Sequence, residues 1–219
     1  MRKDEQNIEE FKIILLGNSG VGKTSILERY AYNRFNEELL ATLGLNFITE
    51  QVTLDNFKRI ELKIWDTAGQ EKFRSLSKSY FRNVDAVLFV FAINDSLSFE
   101  NIKDWIELYN NNHNGKKNIP LYLIENKNDL ERKVETNLID NFLIENTNLK
   151  YKSLSAKLDN DNEISKLFKE LGEILYNNHI NGNEKVGQKY LHLNPRKRRK
   201  KKVCCQIESD DFPDPYKKK

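Results

Sequence analysis

The sequence predicts an α/β fold in three layers: a six-stranded, mostly parallel sheet with one antiparallel edge strand and about five helices. Three observations carry this. Short apolar runs alternate with stretches of helical spacing from residue 8 to residue 178. One pair of runs is joined by a tight Asp55-Asn56 turn, as a hairpin requires. A glycine-rich segment lies between the first run and the first helical stretch.

The elements follow in order. Lys12 to Leu16 is an apolar run bounded by glycine and reads as a buried strand. Ser25 to Tyr32 has helical spacing, with Ile26, Leu27 and Tyr30 on one side. Phe47 to Leu54 and Arg59 to Trp65 read as the hairpin strands, the second alternating through Ile60, Leu62 and Ile64. Ala86 to Ile93 is almost wholly apolar, as a central parallel strand should be. Phe99 to Tyr109 places Phe99, Ile102, Ile106 and Tyr109 on a helical stripe, and Ile119 to Ile124 is another strand. A helix over Val134–Glu145, a short strand over Tyr151–Leu154 and an amphipathic helix over Glu163–Tyr176 complete the set, the last through Ile164, Leu167, Phe168, Leu171 and Leu175.

Residues 1–7 read as a short extension, 8–178 as one domain and 179–219 as a flexible basic tail. His179 to Asn194 is polar and dotted with glycine, and two prolines fall between Asp210 and Lys219. The net charge of +3 conceals an asymmetry: seven consecutive basic residues, Arg196 to Lys202, leave the rest of the chain acidic overall. Such a run points to an anionic partner for the tail. No apolar run approaches the ~18 residues of a membrane-spanning helix. The start, Met1-Arg2-Lys3-Asp4-Glu5, predicts no secretory signal, and Arg2 no myristoylation. The two cysteines are neighbours, Cys204 and Cys205, which suits a reducing, cytoplasmic compartment.

In such sheets ligands sit beyond the carboxyl ends of the strands, and four motifs fall there. Gly17-Asn18-Ser19-Gly20-Val21-Gly22-Lys23-Thr24, with Ser25 next, lies between strand and helix. Its glycines let backbone N–H groups turn inward and hold α- and β-phosphates at a helix N-terminus. Lys23 reaches the β- and γ-phosphates, and Thr24 offers a hydroxyl to Mg²⁺. In Trp65-Asp66-Thr67-Ala68-Gly69-Gln70, Asp66 is placed to hold a Mg²⁺-bound water and Gly69 to bring a backbone N–H to a γ-phosphate. Gln70 is placed to orient an attacking water. In Asn126-Lys127-Asn128-Asp129, the aspartate accepts from N1 and the exocyclic amine of guanine, a donor pair that adenine lacks. The backbone of Ser155-Ala156-Lys157 is placed to contact the guanine oxygen.

In this order and spacing the motifs resemble those of Ras-like small GTPases, whose fold is the P-loop NTPase G domain. Within them the chain is most similar to the Rab family, through Thr42-Leu43-Gly44-Leu45-Asn46-Phe47, Glu71-Lys72-Phe73-Arg74-Ser75-Leu76 and Tyr80-Phe81-Arg82. The resemblance implies that Thr42 is a second Mg²⁺ ligand and senses the γ-phosphate, and that Phe35 packs against guanine. It implies hydrolysis of GTP to GDP, slow alone and faster by about 10³–10⁵-fold with an activating protein. It also implies a nucleotide exchange factor, effectors that read the ordered switches, and vesicle traffic as the setting. Phe47, Trp65 and Tyr80 are candidates for an effector-facing apolar patch. A monomer is expected, with no nucleic-acid partner.

The chain departs from the Rab pattern in places. Glu125 stands where most Rabs have glycine and adds negative charge beside the base pocket, which would lower nucleotide affinity, although binding is expected to survive. Ala92 replaces an aspartate and Asn83 a glycine. Cys204 and Cys205 follow the basic run as geranylgeranyl sites would, placing the protein on the cytosolic face of an intracellular membrane, but fourteen residues, Gln206 to Lys219, come after them. Trimming of the tail, palmitoylation instead, or no lipid at all stay open. So do two other readings: a soluble, non-prenylated Ras-like GTPase, and a GTP-bound scaffold with little hydrolysis.

Overall fold

Six strands form a single sheet in the order β2-β3-β1-β4-β5-β6. In this computed structural model residues 8–37, 46–66, 80–113, 118–159 and 161–191 are described. The elements are β1 (Glu9–Leu16), α1 (Lys23–Tyr32), β2 (Asn46–Thr53), β3 (Arg59–Asp66), β4 (Ala86–Ala92), α2 (Ser96–Glu100), α3 (Ile102–Asn112), β5 (Leu121–Asn126), α4 (Thr136–Glu145), β6 (Leu149–Ser153) and α5 (Glu163–Leu191). Only β2 runs antiparallel, paired with β3 from Asn46↔Asp66 to Thr53↔Arg59; the other four pairings are parallel. The predicted fold class holds, including the hairpin edge.

Burial explains the strand compositions. Every residue of β4 is buried, because helices cover both faces of the sheet there. In β3 the alternating residues Ile60, Leu62 and Ile64 are fully buried, whereas the residues between them are partly open. The two faces carry two apolar clusters. One packs Ile13, Leu15, Leu88 and Ile124 against Ile26 of α1 and Ile164, Phe168 and Leu171 of α5. The other packs Leu16, Phe89, Phe91 and Leu123 against Phe99, Ile102 and Trp105 of α2 and α3 and Phe142 of α4. Each fully buried Leu, Ile or Phe in these layers contributes about 1.5–3 kcal/mol of transfer free energy.

Three local findings refine the sequence reading. The stretch predicted as one helix, Phe99–Tyr109, is two helices meeting at Asn101, whose backbone has φ −74° and ψ −6°. The first begins earlier because the Asp95 side chain accepts from Ser98 N–H at 3.2 Å, an N-cap that apolar periodicity does not reveal. The last helix, expected to end at Tyr176, runs to Leu191 and so takes in the first part of the stretch expected to be tail. Gly182 and Gly187 each cost ~1 kcal/mol in a helix interior, but adding a residue to a formed helix needs no new nucleus. Asn83 adopts φ 56°, the left-handed conformation that glycine takes most readily and asparagine tolerates. The sheet, α1 to α4 and α5 as far as Gly182 belong to one unit; a second unit comprises Asn183–Lys219.

Candidate functional site

The parallel register brings the carboxyl ends of β1, β3, β5 and β6 to one edge of the sheet, and the motifs leave from those ends. Between Leu16 and Lys23 the chain must turn from strand to helix in six residues. At Gly17 (φ 151°) a Cβ would lie 2.1 Å from the Val90 carbonyl oxygen, so no other residue fits against β4. Gly22 (φ 96°) caps α1 and has no side chain to satisfy the first helical N–H groups, which stay available to an anion.

Lys23 is buried, 5% exposed, and its ammonium donates to the carbonyls of Gly17 and Asn18, both at 2.8 Å. Burial pushes its pKa down to about 8, and the nearby Asp66 charge opposes the shift. The next residue, Thr24, donates from Oγ1 to Asp66 Oδ2 at 2.6 Å. Asp66 is the last residue of β3 and is buried, so a hydroxyl and a carboxylate from distant segments meet at the mouth of the loop. These hard oxygen donors suit a small divalent cation such as Mg²⁺, which keeps several waters and takes only a few protein ligands.

The base motif is tied directly to this loop. Asn126, the last residue of β5, donates from Nδ2 to the Val21 carbonyl at 2.8 Å and accepts at Oδ1 from the Ala156 N–H at 3.1 Å. Lys127 (φ 63°) crosses to the Gly20 carbonyl at 2.6 Å. Ser155 donates to Asp129 Oδ1 at 2.5 Å, and its Oγ accepts the N–H groups of Lys157 and Leu158. The loops after β1, β5 and β6 are therefore held together before any ligand contributes. Asp129 is left with acceptor capacity beyond the single serine bond.

Sequence reasoning missed several supporting side chains. Arg29 of α1 donates to the carbonyls of Ala156 and Lys157 at 2.9 and 2.8 Å, bracing the third loop. Trp105 of α3 donates its indole N–H to Asn18 Oδ1 at 2.9 Å, bracing the first. Lys157 pairs with Glu37 at the surface. None of these carries a local signal, since each contact spans many residues. Phe35 is half-buried against the cluster beneath α1 and α5. Phe47 stacks on Trp65 with ring centres 4.8 Å apart, and Trp65 meets Tyr80 edge-on at 5.9 Å, so the three proposed patch residues are contiguous and Phe47 is exposed.

Glu125 corrects one expectation. Its carboxylate is fully buried and does not add free charge beside the base pocket. Strand alternation turns it to the sheet face of Leu121 and Leu123, away from Asn126, and Arg132 and Ser153 bind it there. Thr42, Gly69, Gln70, Cys204 and Cys205 lie outside the described residues.

The Ras family model matches residues 12–177. The Ypt/Rab-type GTPase YPT7 of Saccharomyces cerevisiae is 40% identical over 133 residues, 60% of this chain and 63% of that protein. The chain thus spans a little under two thirds of that relative. The Ras-related protein SEC4 of the same yeast is 34% identical over 176 residues, 80% of this chain and 79% of its own. The Ras-related protein Rab-9A of Rattus norvegicus is 38% identical over 150 residues, 67% of this chain and 74% of that protein. A glycine loop bound through Asn126 to the loop after β5, on this sheet order and with these relatives, has one reading: the chain belongs to the Ras family and, within it, to the Rab-type small GTPases, the GTP-hydrolysing switches of vesicle traffic.

Proposed function

We propose that GTP binds across the three joined loops of domain 8–178, with each motif residue in a distinct role. Backbone N–H groups of Gly17 to Ser25, with the Lys23 ammonium, hold the phosphates. Asp129 accepts from N1 and the amine of guanine, Lys127 and Phe35 flank the ring, and Asn126 holds the loops in register. The Ser155–Lys157 backbone meets the guanine oxygen. The observation that carries this reading is the pair of Asn126 bonds to Val21 and Ala156, which join the phosphate and base loops into one cradle.

Thr24, Thr42 and, through water, Asp66 would hold Mg²⁺, which supplies charge neutralisation at the β- and γ-phosphates when bound. Lys23 and the loop N–H groups stabilise charge on the departing diphosphate. Gln70 orients the water for in-line attack, and the Gly69 N–H contacts the γ-phosphate. Thr42 and Gly69 lose that contact after hydrolysis, so residues about 34–47 and 66–80 relax and effectors dissociate. Exchange factors and activating proteins set the two rates. The basic run Arg196–Lys202 adds about 1 kcal/mol per residue at an anionic membrane surface, and lipid on Cys204 and Cys205 would make that attachment durable. On this reading the protein works as a monomer on the cytosolic face of an intracellular membrane. Among the described residues no helix is long and apolar enough to cross one.

The reaction assignment is tested by single-turnover hydrolysis. Gln70→Leu should keep GTP affinity and slow hydrolysis at least about tenfold; an unchanged rate assigns the water to another group. The alternative to lipid attachment is an unlipidated, soluble Ras-like switch. Intact mass of the protein from its own cells separates the two, since prenylation adds two C20 groups and removal of the tail shortens the chain.

A further inference from the structure

The fully buried carboxylate of Glu125 accepts two bonds from the Arg132 guanidinium, Nη1 to Oε2 at 2.9 Å and Nη2 to Oε1 at 2.8 Å, and a third from Ser153 Oγ at 2.7 Å. A buried carboxylate is costly unless paired and hydrogen-bonded, and a well-packed apolar pair would serve stability equally or better. What the ion pair adds is geometry: a bidentate fork fixes distance and angle together.

Its position gives that geometry a consequence. Glu125 and Arg132 are the two ends of one segment, and Asn126, Lys127 and Asp129 lie between them. Arg132 also donates to the Val134 carbonyl at 3.2 Å, which holds the exit of the segment toward α4. The third partner, Ser153, ends β6, two residues before the Ser155 that donates to Asp129. Its hydroxyl also accepts from Asn128 Nδ2 at 3.3 Å. Backbone bonds from Leu154 N–H to Glu125 O and from Asn128 N–H to Leu154 O close the same box.

We propose that the Glu125–Arg132 pair, with Ser153, is a strut that sets where Asp129 stands against the base, so that these residues are positioning residues for guanine selectivity. The inference rests on the reading of Asp129 as the base-selecting carboxylate. The strut never touches the nucleotide; it holds the loop that carries Asp129 and the strand that leads to its serine partner in one register. Loosening it moves Asp129 relative to the two donors on the guanine edge, and the bond to the exocyclic amine is the discriminating one.

The test compares affinities of the full chain, with Mg²⁺, for GDP and for inosine diphosphate, which lacks that amine. Glu125→Gln keeps the shape and removes the charge; Arg132→Lys keeps the charge and removes the fork. Each should lower the preference for GDP over inosine diphosphate about tenfold, equivalent to about 1.4 kcal/mol, while affinity for inosine diphosphate changes less than about threefold. An equal loss for both nucleotides means the pair only stabilises the fold and overturns the proposal. If Glu125→Gln does not fold, Arg132→Lys and Ser153→Ala decide by the same ratio. Asp129→Asn separates the two readings. Should it leave the wild-type ratio intact, the base-site assignment falls and the strut with it. Should it erase the ratio while the strut variants keep it, the strut alone is refuted.

Discussion

Nucleotide binding should draw a proton onto Lys23. Its ammonium lies in a nearly sealed position, facing the Gly17 and Asn18 carbonyls, and burial holds its pKa at about 8, below the ordinary 10.5. A polyphosphate beside it favours the charged form and restores the higher pKa. Above pH 8 the free protein has lost this proton and binding must take it back, so affinity falls as pH rises. With a free-protein pKa of about 8, GDP should bind about tenfold more weakly at pH 9 than at pH 7, a difference of ~1.4 kcal/mol. The nucleotide's own phosphates are already ionised over that range. Calorimetry at pH 8.5 in two buffers of different ionisation enthalpy should report uptake of about 0.8 proton per GDP bound. The chain's own stability moves in the opposite direction. Lys23 binds more protons unfolded than folded between pH 8 and 10.5, so its contribution becomes more favourable as pH rises through that window. No proton uptake, together with affinity flat from pH 7 to 9, would refute the view of Lys23 as a buried group whose charge the phosphates restore.

Two substitutions probe the join between the loops. Gly22→Ala places a Cβ 2.3 Å from Asn126 Nδ2 and imposes φ 96° on a residue with a side chain, about 1–2 kcal/mol for the backbone alone; the melting temperature should fall and GDP dissociation accelerate. Asn126→Ala leaves the Val21 carbonyl and the Ala156 N–H without their partner, at about 1–3 kcal/mol each. Its GDP dissociation rate in stopped flow should rise at least about tenfold, and an unchanged rate would mean the loops are held by other contacts.

Much of this arrangement was legible in the amino-acid order because it is local. The apolar run of β4 follows from burial on both faces, the alternation of Ile60, Leu62 and Ile64 from a strand with one face more open, and Gly17 and Gly22 from a turn no larger residue can make. What escaped is non-local. Arg29 reaches the loop after β6 across 127 residues, and Trp105 reaches Asn18 across 87; nothing in their neighbourhoods announces the partner. Glu125 was misjudged for the same reason, since its partners Arg132 and Ser153 come together only when β5 and β6 pair. The extent of α5 escaped because two glycines and polar residues look like a helix end, with no capping geometry visible to contradict them.

The central claim is that loops leaving β1, β5 and β6 form one cradle for a guanine nucleotide. Competition against a fluorescent GDP on the purified full chain, with Mg²⁺, tests it most directly. GTP and GDP should displace the probe, ATP should fail at a thousandfold excess, and chelating the cation should speed release. Displacement by ATP as readily as by GTP, or no binding of the probe at all, would contradict the account.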